Sequence, residues 1–154
     1  MAFEGVWMEI RESAELNDTF HWNEEGNFTA SVHEHFRNGG VPPEARGVYV
    51  LRRIPSRGRR LGRVLYVGKA GTVTTEGGFR GTQGLEKRLC NTRHGGRTAN
   101  QWTQELLGGP PGGLRVEYAV LQNPRVMSPG LAEARLLQAY LEEYGSLPVH
   151  NREL

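Results

Sequence analysis

Two short apolar segments separated by a turn-rich loop constrain the fold of this chain more than any other feature. They are RGVYVLRRI, residues 46–54, and GRVLYVGK, residues 62–69. Their β-branched and aromatic residues favour strands, and the intervening PSRGRR supplies turn residues. The pattern predicts an antiparallel hairpin. Because both segments are apolar on both sides, we expect them to lie in the middle of a sheet.

The end of the second segment, VGKAGT, invites comparison with a phosphate-binding P-loop. Such a loop needs a glycine five positions before the Gly-Lys pair and a hydroxyl residue directly after it. Here the first position is Arg63, and Lys69 is followed by Ala70. The preceding residues VLYV are typical of a strand rather than of a flexible cradle. The sequence therefore argues against a P-loop.

Length and composition favour one domain without membrane segments. A chain of 154 residues is long enough for one core but not for two ordinary ones. The first residues lack the basic start of a signal peptide, and no segment is apolar for long enough to span a membrane. The single cysteine excludes an internal disulfide and a multi-cysteine zinc site. We expect a cytoplasmic protein.

Charge is distributed unevenly along the chain. Residues 1–45 contain two Arg or Lys and nine Asp or Glu, a net charge of −7, whereas residues 46–97 contain thirteen and two, a net of +11. Residues 98–154 contain four and six, a net of −2. The Gly/Pro cluster GGVPPEAR marks the change, so we divide the chain into an acidic N-terminal extension, 1–45, and a domain, 46–154. The basic segment predicts binding to a polyanion, with nucleic acid first.

Helical periodicity follows the hairpin. Segments LEKRLCNTRH and ANQWTQELL have helical character, LRVEYAVLQ alternates like a third strand, and Ser128 and Gly145 provide the start and stop signals of a last helix. On two of these helices a charged residue shares the apolar face: Arg88 and Glu133. One explanation is a buried ion pair. The other is a site in which the arginine binds phosphate and the glutamate binds a divalent metal.

A resemblance to a known family bears on this choice. The chain contains, in order, GVY ending at Tyr49, YVG beginning at Tyr66, LEKRL with Arg88, EARLLQAYL beginning at Glu133, and Asn151. The order resembles that of the GIY-YIG endonuclease family over about residues 46–151. The resemblance implies an α+β fold with a small central three-stranded antiparallel sheet flanked by helices.

The resemblance also implies roles for individual residues in a metal-dependent endonuclease. Tyr49 and Tyr66 would border the scissile phosphate, Arg88 would bind it, and Asn151 would help to shape the site. Glu133 would hold a Mg²⁺ or Mn²⁺ ion. For the proton of the attacking water the family suggests Tyr49 or Lys69. We prefer Tyr49 as base or water-orienting group, with Lys69 contacting phosphate.

Two features differ from many relatives. Where they have a histidine four residues after the arginine, this chain has Thr92, with His94 two residues further on. The glycine-rich segment 70–84 is also longer than in compact relatives. Arg80 within it, and Arg57, Arg59 and Arg60 in the hairpin loop, are candidates for contacts to the DNA backbone, against the alternative of ordinary surface arginines.

Other clusters carry less weight. His33 and His35 would share one face if TASVHEHF were a strand, but no third metal ligand is evident. A Cys/His triad lacks support because Cys90 falls on the polar side of its helix without a suitable partner.

Three functions follow from these patterns. The first is a DNA endonuclease, of restriction, phage or repair type. The second is a non-cutting nucleic-acid-binding module on the same fold, and the third is an unrelated structural domain. The acidic residues 1–45 are expected to complete the sheet, mediate a homodimer, or cover the basic surface as a brake on binding.

Overall fold

The computed structural model describes residues 2–23, 25–54, 62–91, 99–107 and 112–152. These residues form an α+β fold whose helices and strands, in chain order, are α1 (Phe3–Ser13), β1 (Leu16–Asn23), α2 (Phe28–Asn38), β2 (Gly47–Arg53), β3 (Val64–Ala70), α3 (Leu85–Cys90), α4 (Ala99–Leu107), β4 (Gly113–Val120) and α5 (Pro129–Tyr144). Of the helices described, none has the length and apolar character needed to cross a membrane.

The described residues form a four-stranded sheet in the order β1-β4-β2-β3, and every neighbouring pair is antiparallel. The expectation of three strands was therefore wrong. The additional strand, β1, comes from the acidic N-terminal segment and pairs with the whole of β4, from Leu16 opposite Val120 to Asn23 opposite Gly113. Only Phe20 and Trp22 of β1 are buried, so its sequence shows little of the alternation that identifies a strand.

The predicted hairpin forms, but only one of its strands is central. β2 lies between β4 and β3, and six of its seven residues are buried, as its continuous apolar sequence predicts. The placement of β3 in the middle of the sheet was wrong, because β3 is an edge strand. Residues near the C-terminus cover part of that edge: the backbone N–H of His150 donates to the carbonyl of Leu65 at 3.2 Å.

Helices cover both faces of the sheet and produce two apolar cores. On one face, α2, α3 and α4 pack over aromatic and aliphatic residues of all four strands, including Trp22, Tyr49 and Tyr118. On the other face, α1 and α5 pack over Val48, Val50 and neighbouring residues. Successive side chains of β2 point to opposite faces of the sheet, so Tyr49 lies in the first core and Val48 lies in the second.

Residues 28–38 form the helix α2 rather than the strand considered for TASVHEHF. The side chain of Asn27 caps it by accepting a hydrogen bond from the N–H of Ala30 at 2.9 Å. Phe28, Val32 and Phe36, spaced four residues apart, are its buried residues. On a helix, His33 and His35 point in different directions, so the shared face expected for them was wrong.

The last helix begins and ends where predicted. Ser128 Oγ accepts a hydrogen bond from the N–H of Leu131 at 3.1 Å, and Gly145 ends the helix with a positive φ of 77°. A left-handed residue at this position favours glycine because glycine has no Cβ. These caps fix the register of α5 and place Glu133 in its second turn.

Candidate active site

Two tyrosines on adjacent strands form the centre of the candidate site. The ring centroids of Tyr49 on β2 and Tyr66 on β3 are 6.1 Å apart, with an angle of 47° between the ring planes. Tyr49 is 3% exposed, whereas Tyr66 is partly exposed and packs edge-on against Trp102 of α4 at 5.1 Å. The site thus has one buried and one accessible phenol, and α4 holds the accessible one.

Arg88 extends from α3 to the tyrosines and donates a hydrogen bond to the hydroxyl of Tyr49. Burial, together with the neighbouring phenol of Tyr66, raises the pKa of Tyr49 far above its ordinary value, and the positive charge of Arg88 only partly opposes this. Burial also raises the pKa of Tyr66, again opposed by Arg88. Both phenols are therefore protonated near neutral pH.

Glu133 approaches the same site from α5 and is partly buried. Burial raises the pKa of its carboxyl, while the charges of Lys69 and Arg88 act in the opposite direction. In the described part of the chain, no direct ion pair joins Glu133 to either cation, and no hydrogen bond reaches its carboxylate. The simple ion pair between Arg88 and Glu133 is therefore not formed, although the two charges interact.

Lys69 lies on the α5 side of β3. Its Nζ lies above the first turn of α5, where a Cβ added to Gly130 would be 3.5 Å away. Glu133 follows Gly130 by three residues and therefore lies about one turn further along the helix. Lys69 and Glu133 thus belong to one face of the sheet, and Tyr49 and Tyr66 belong to the other. Their electrostatic interactions extend across edge strand β3.

Asn151 supports the edge strand rather than pointing a free amide into the site. Its Oδ1 accepts from the backbone N–H of Val67 at 2.9 Å, and its Nδ2 donates to the carbonyl of Val67 at 2.9 Å. The Asn151 side chain thus makes the two backbone hydrogen bonds that a neighbouring strand would make to Val67, the residue between Tyr66 and Gly68. This contact holds in place the part of β3 that carries the site.

The remaining predicted residues are spread around the site or fall outside the description. Arg80 is exposed in the segment between β3 and α3, where its N–H donates to the carbonyl of Thr72 at 2.8 Å. Arg57, Arg59 and Arg60 of the hairpin loop, and Thr92 and His94 after α3, lie outside the described residues. Five of the predicted side chains, those of Tyr49, Tyr66, Lys69, Arg88 and Glu133, interact electrostatically in one region.

The chemistry available at this site combines cations with one carboxylate. A guanidinium and an ammonium group can bind phosphate oxygens, and a partly buried carboxylate can bind a hard cation such as Mg²⁺. Among the described residues, no group of three or more His, Cys, Asp and Glu side chains is placed to hold a metal ion. A metal here would have Glu133 as its protein ligand and would take other oxygen atoms from water and phosphate.

Sequence reasoning missed a second cluster on the other side of α3. Cys90 Sγ lies 3.8 Å from His33 Nε2, and His33 Nδ1 lies 2.6 Å from Glu86 Oε2. The statement that Cys90 lacks a partner was therefore wrong. The helical spacing of Phe28, Val32 and Phe36 was the signal that would have placed His33 on a helix. Its proximity to α3 depends on tertiary packing.

Comparisons of this chain with protein-family models, with curated proteins and with solved structures find no match.

Proposed function

We propose that this chain is a metal-dependent endonuclease that hydrolyses phosphodiester bonds in DNA. The observation that carries the proposal is the convergence of Tyr49, Tyr66, Arg88 and Glu133 at one edge of the sheet, from two strands and two helices that are distant in sequence. A structural explanation requires the charged residues to satisfy each other. The absence of a direct bond between Arg88 and Glu133 in the described structure argues against that explanation.

The state of Glu133 supports a role in binding a cation. No hydrogen-bond donor among the described residues reaches the Glu133 carboxylate, so burial removes hydration without full compensation and raises the pKa of this group. A cation bound to this carboxylate would compensate for the lost hydration. We propose that Glu133 holds Mg²⁺ or Mn²⁺, which when bound supplies positive charge to a phosphate oxygen and lowers the pKa of water.

The other residues bind and orient the scissile phosphate. Hydrolysis increases negative charge on the non-bridging and leaving oxygens, and we propose that Arg88 stabilises that charge. Lys69 contacts phosphate from the other face of β3. Since the pKa of Tyr49 is raised, its hydroxyl serves better to orient the attacking water than to accept a proton from it.

Charge favours a nucleic acid as the partner, and we propose DNA. Residues 46–97, which include Tyr49, Tyr66 and Arg88 of the site, have a net charge of +11. Arg80, in the segment that precedes α3, is exposed. We propose a cytoplasmic enzyme of restriction, phage or repair type. One site per chain cuts one strand at a time, so a double-strand break requires either a homodimer or two successive nicks.

The test is cleavage of supercoiled plasmid DNA by the purified chain with Mg²⁺, compared with EDTA. We expect nicked or linear products that disappear in EDTA and in Glu133→Ala. The matched control is Glu142→Ala, on the same helix, where the exposed carboxylate accepts a hydrogen bond from Gln138 at 2.9 Å. This control should cleave like the unmodified protein.

Two results would contradict the proposal. Equal loss of cleavage in both variants would indicate damage to α5 rather than to a catalytic group. A folded protein that does not cleave, but shows a salt-sensitive shift of DNA that Glu133→Ala retains, would favour the non-cutting binding module.

A further inference from the structure

A thiol, an imidazole and two carboxylates line a cavity between α2 and α3. The cavity has a volume of about 480 Å³, and its lining includes Thr29, His33, Glu44, Glu86, Cys90 and Asn91. None of these residues belongs to the candidate active site. The cavity joins a helix of the acidic N-terminal segment to the helix that carries Arg88.

The hydrogen bond to Glu86 fixes the state of the His33 imidazole. A carboxylate accepts hydrogen bonds, so the 2.6 Å contact assigns the imidazole proton to Nδ1. Nε2, the nitrogen that carries a lone pair in this tautomer of the neutral ring, lies 3.8 Å from Cys90 Sγ. This carboxylate–histidine arrangement is the one that commonly orients histidines bound to zinc.

We propose that Cys90 Sγ and His33 Nε2 bind a thiophilic divalent cation such as Zn²⁺, with Glu86 as the positioning residue for the imidazole. For tetrahedral zinc, Zn–S of about 2.3 Å and Zn–N of about 2.05 Å give a separation of about 3.6 Å between sulfur and nitrogen. The observed 3.8 Å differs from that value by only a few tenths of an ångström. Bringing these two atoms to the separation that zinc requires would therefore need almost no movement of either helix.

Cys90 would bind the cation as the thiolate, because a thiolate and not a thiol is the metal ligand. Binding of the cation would displace the thiol proton, and one proton would leave for each ion bound. Among the described residues no third His, Cys, Asp or Glu side chain is placed to join these two ligands, so water would occupy the remaining coordination positions.

The cation would connect the N-terminal segment to the candidate active site. His33 belongs to α2, and Cys90 follows Arg88 by two residues on α3. A bond through the ion would restrict movement of α3 relative to α2. It would therefore help to hold Arg88 in position without contacting the scissile phosphate.

Cobalt provides a direct test because Cys90 is the only cysteine in the sequence. The full chain carrying Glu133→Ala is titrated with Co²⁺, so that the proposed magnesium site does not contribute. We expect thiolate-to-cobalt charge-transfer absorption, its loss on addition of Zn²⁺, and release of one proton for each ion. Cys90→Ser should abolish the absorption, and Glu86→Gln should weaken affinity about 10- to 100-fold.

The control is His21→Asn, which removes an exposed imidazole from β1 and should leave the titration unchanged. Circular dichroism verifies that each variant is folded. A folded chain without thiolate-to-cobalt absorption, or with absorption that persists in His33→Asn, would overturn the proposal. Plasmid cleavage is measured separately with Glu133 intact, so failure of the nuclease proposal would not affect this result.

Discussion

The phenol ring of Tyr49 occupies the space that a side chain on Gly68 would fill. The two residues are directly opposite each other in the β2–β3 ladder. A Cβ added to Gly68 would overlap Tyr49 Cζ and Oη and would stand 2.8 Å from Cε1. The glycine is therefore needed for steric reasons, because it lets a buried tyrosine lie across the edge strand towards Arg88.

Gly68→Ala should displace the Tyr49 ring and so impair both stability and cleavage. Overpacking of this kind costs about 1–3 kcal/mol of unfolding free energy. Urea unfolding and plasmid nicking measure the two effects. Gly78→Ala is the control, since a Cβ there meets nothing within 4 Å. A Gly68→Ala protein with unchanged stability and activity would show that Tyr49 has room to move.

Tyr49→Phe should separate the hydroxyl from the packing of the ring. The ring keeps its place, and loss of the hydrogen bond from Arg88 should cost no more than about 1.5 kcal/mol of stability. Cleavage should fall about 10²-fold. Because the raised pKa keeps the hydroxyl protonated, this loss should be constant between about pH 6 and pH 9. A loss that grows with pH would identify Tyr49 as a base.

Asn151→Asp should make the edge strand sensitive to pH. A carboxylate can accept from the N–H of Val67 but cannot donate to its carbonyl, which the present amide does at 2.9 Å. We expect a loss of about 1–3 kcal/mol at neutral pH. Protonation restores a donor, so the pKa of the introduced carboxyl is raised on folding and the stability loss diminishes as the pH falls. Urea unfolding at pH 7 and pH 5 tests this, and an identical loss at both values would refute it.

Glu117 should contribute strongly to the stability of the core between the sheet and helices α1 and α5. Its carboxylate accepts hydrogen bonds from Trp7 Nε1 at 2.6 Å and Arg52 Nε at 3.1 Å, and both charged side chains of the Arg52–Glu117 pair are almost fully buried. Glu117→Leu leaves Arg52 with Glu4 as its ion-pair partner among the described residues and should cost about 3–5 kcal/mol of unfolding free energy. Arg135→Ala removes an exposed ion pair with Glu9 and should cost less than about 1 kcal/mol. Thermal and urea unfolding compare the two.

Acid should remove the contribution of Glu117 to stability. Burial alone would raise the pKa of this carboxyl, but the Arg52 charge and the hydrogen bonds from Trp7 and Arg115 outweigh burial and lower it. As the pH falls, the Glu117 carboxyl is therefore protonated in the unfolded chain before it is protonated in the folded one. Its contribution to the free energy of unfolding is complete above the ordinary pKa of 4.5. It decreases as the pH falls below that value towards the lowered folded pKa. When the pH is lowered through this range, the free energy of unfolding measured in urea should therefore fall less in Glu117→Leu than in the unmodified chain.

Local patterns were sufficient for several elements of the fold. The apolar β2 and β3 segments predicted the hairpin, and Ser128 and Gly145 predicted the limits of α5. The fourth strand could not be predicted in the same way. Of the β1 residues only Phe20 and Trp22 are buried, and its pairing with β4 depends on contacts about one hundred residues apart.

The sequence alone determined which side chains lie on the inward faces of their helices and strands. The helical period places Arg88 and Glu133 on the apolar faces of their helices whatever the final topology, and the apolar strand around Tyr49 predicts burial on both of its faces. Tertiary structure decided what these side chains meet. It placed Arg88 against Tyr49 without a direct bond to Glu133, used Asn151 to complete the edge of β3, and brought His33 to Cys90. Periodicity depends on neighbours three or four residues away, whereas these contacts depend on how whole elements pack, which no local pattern records.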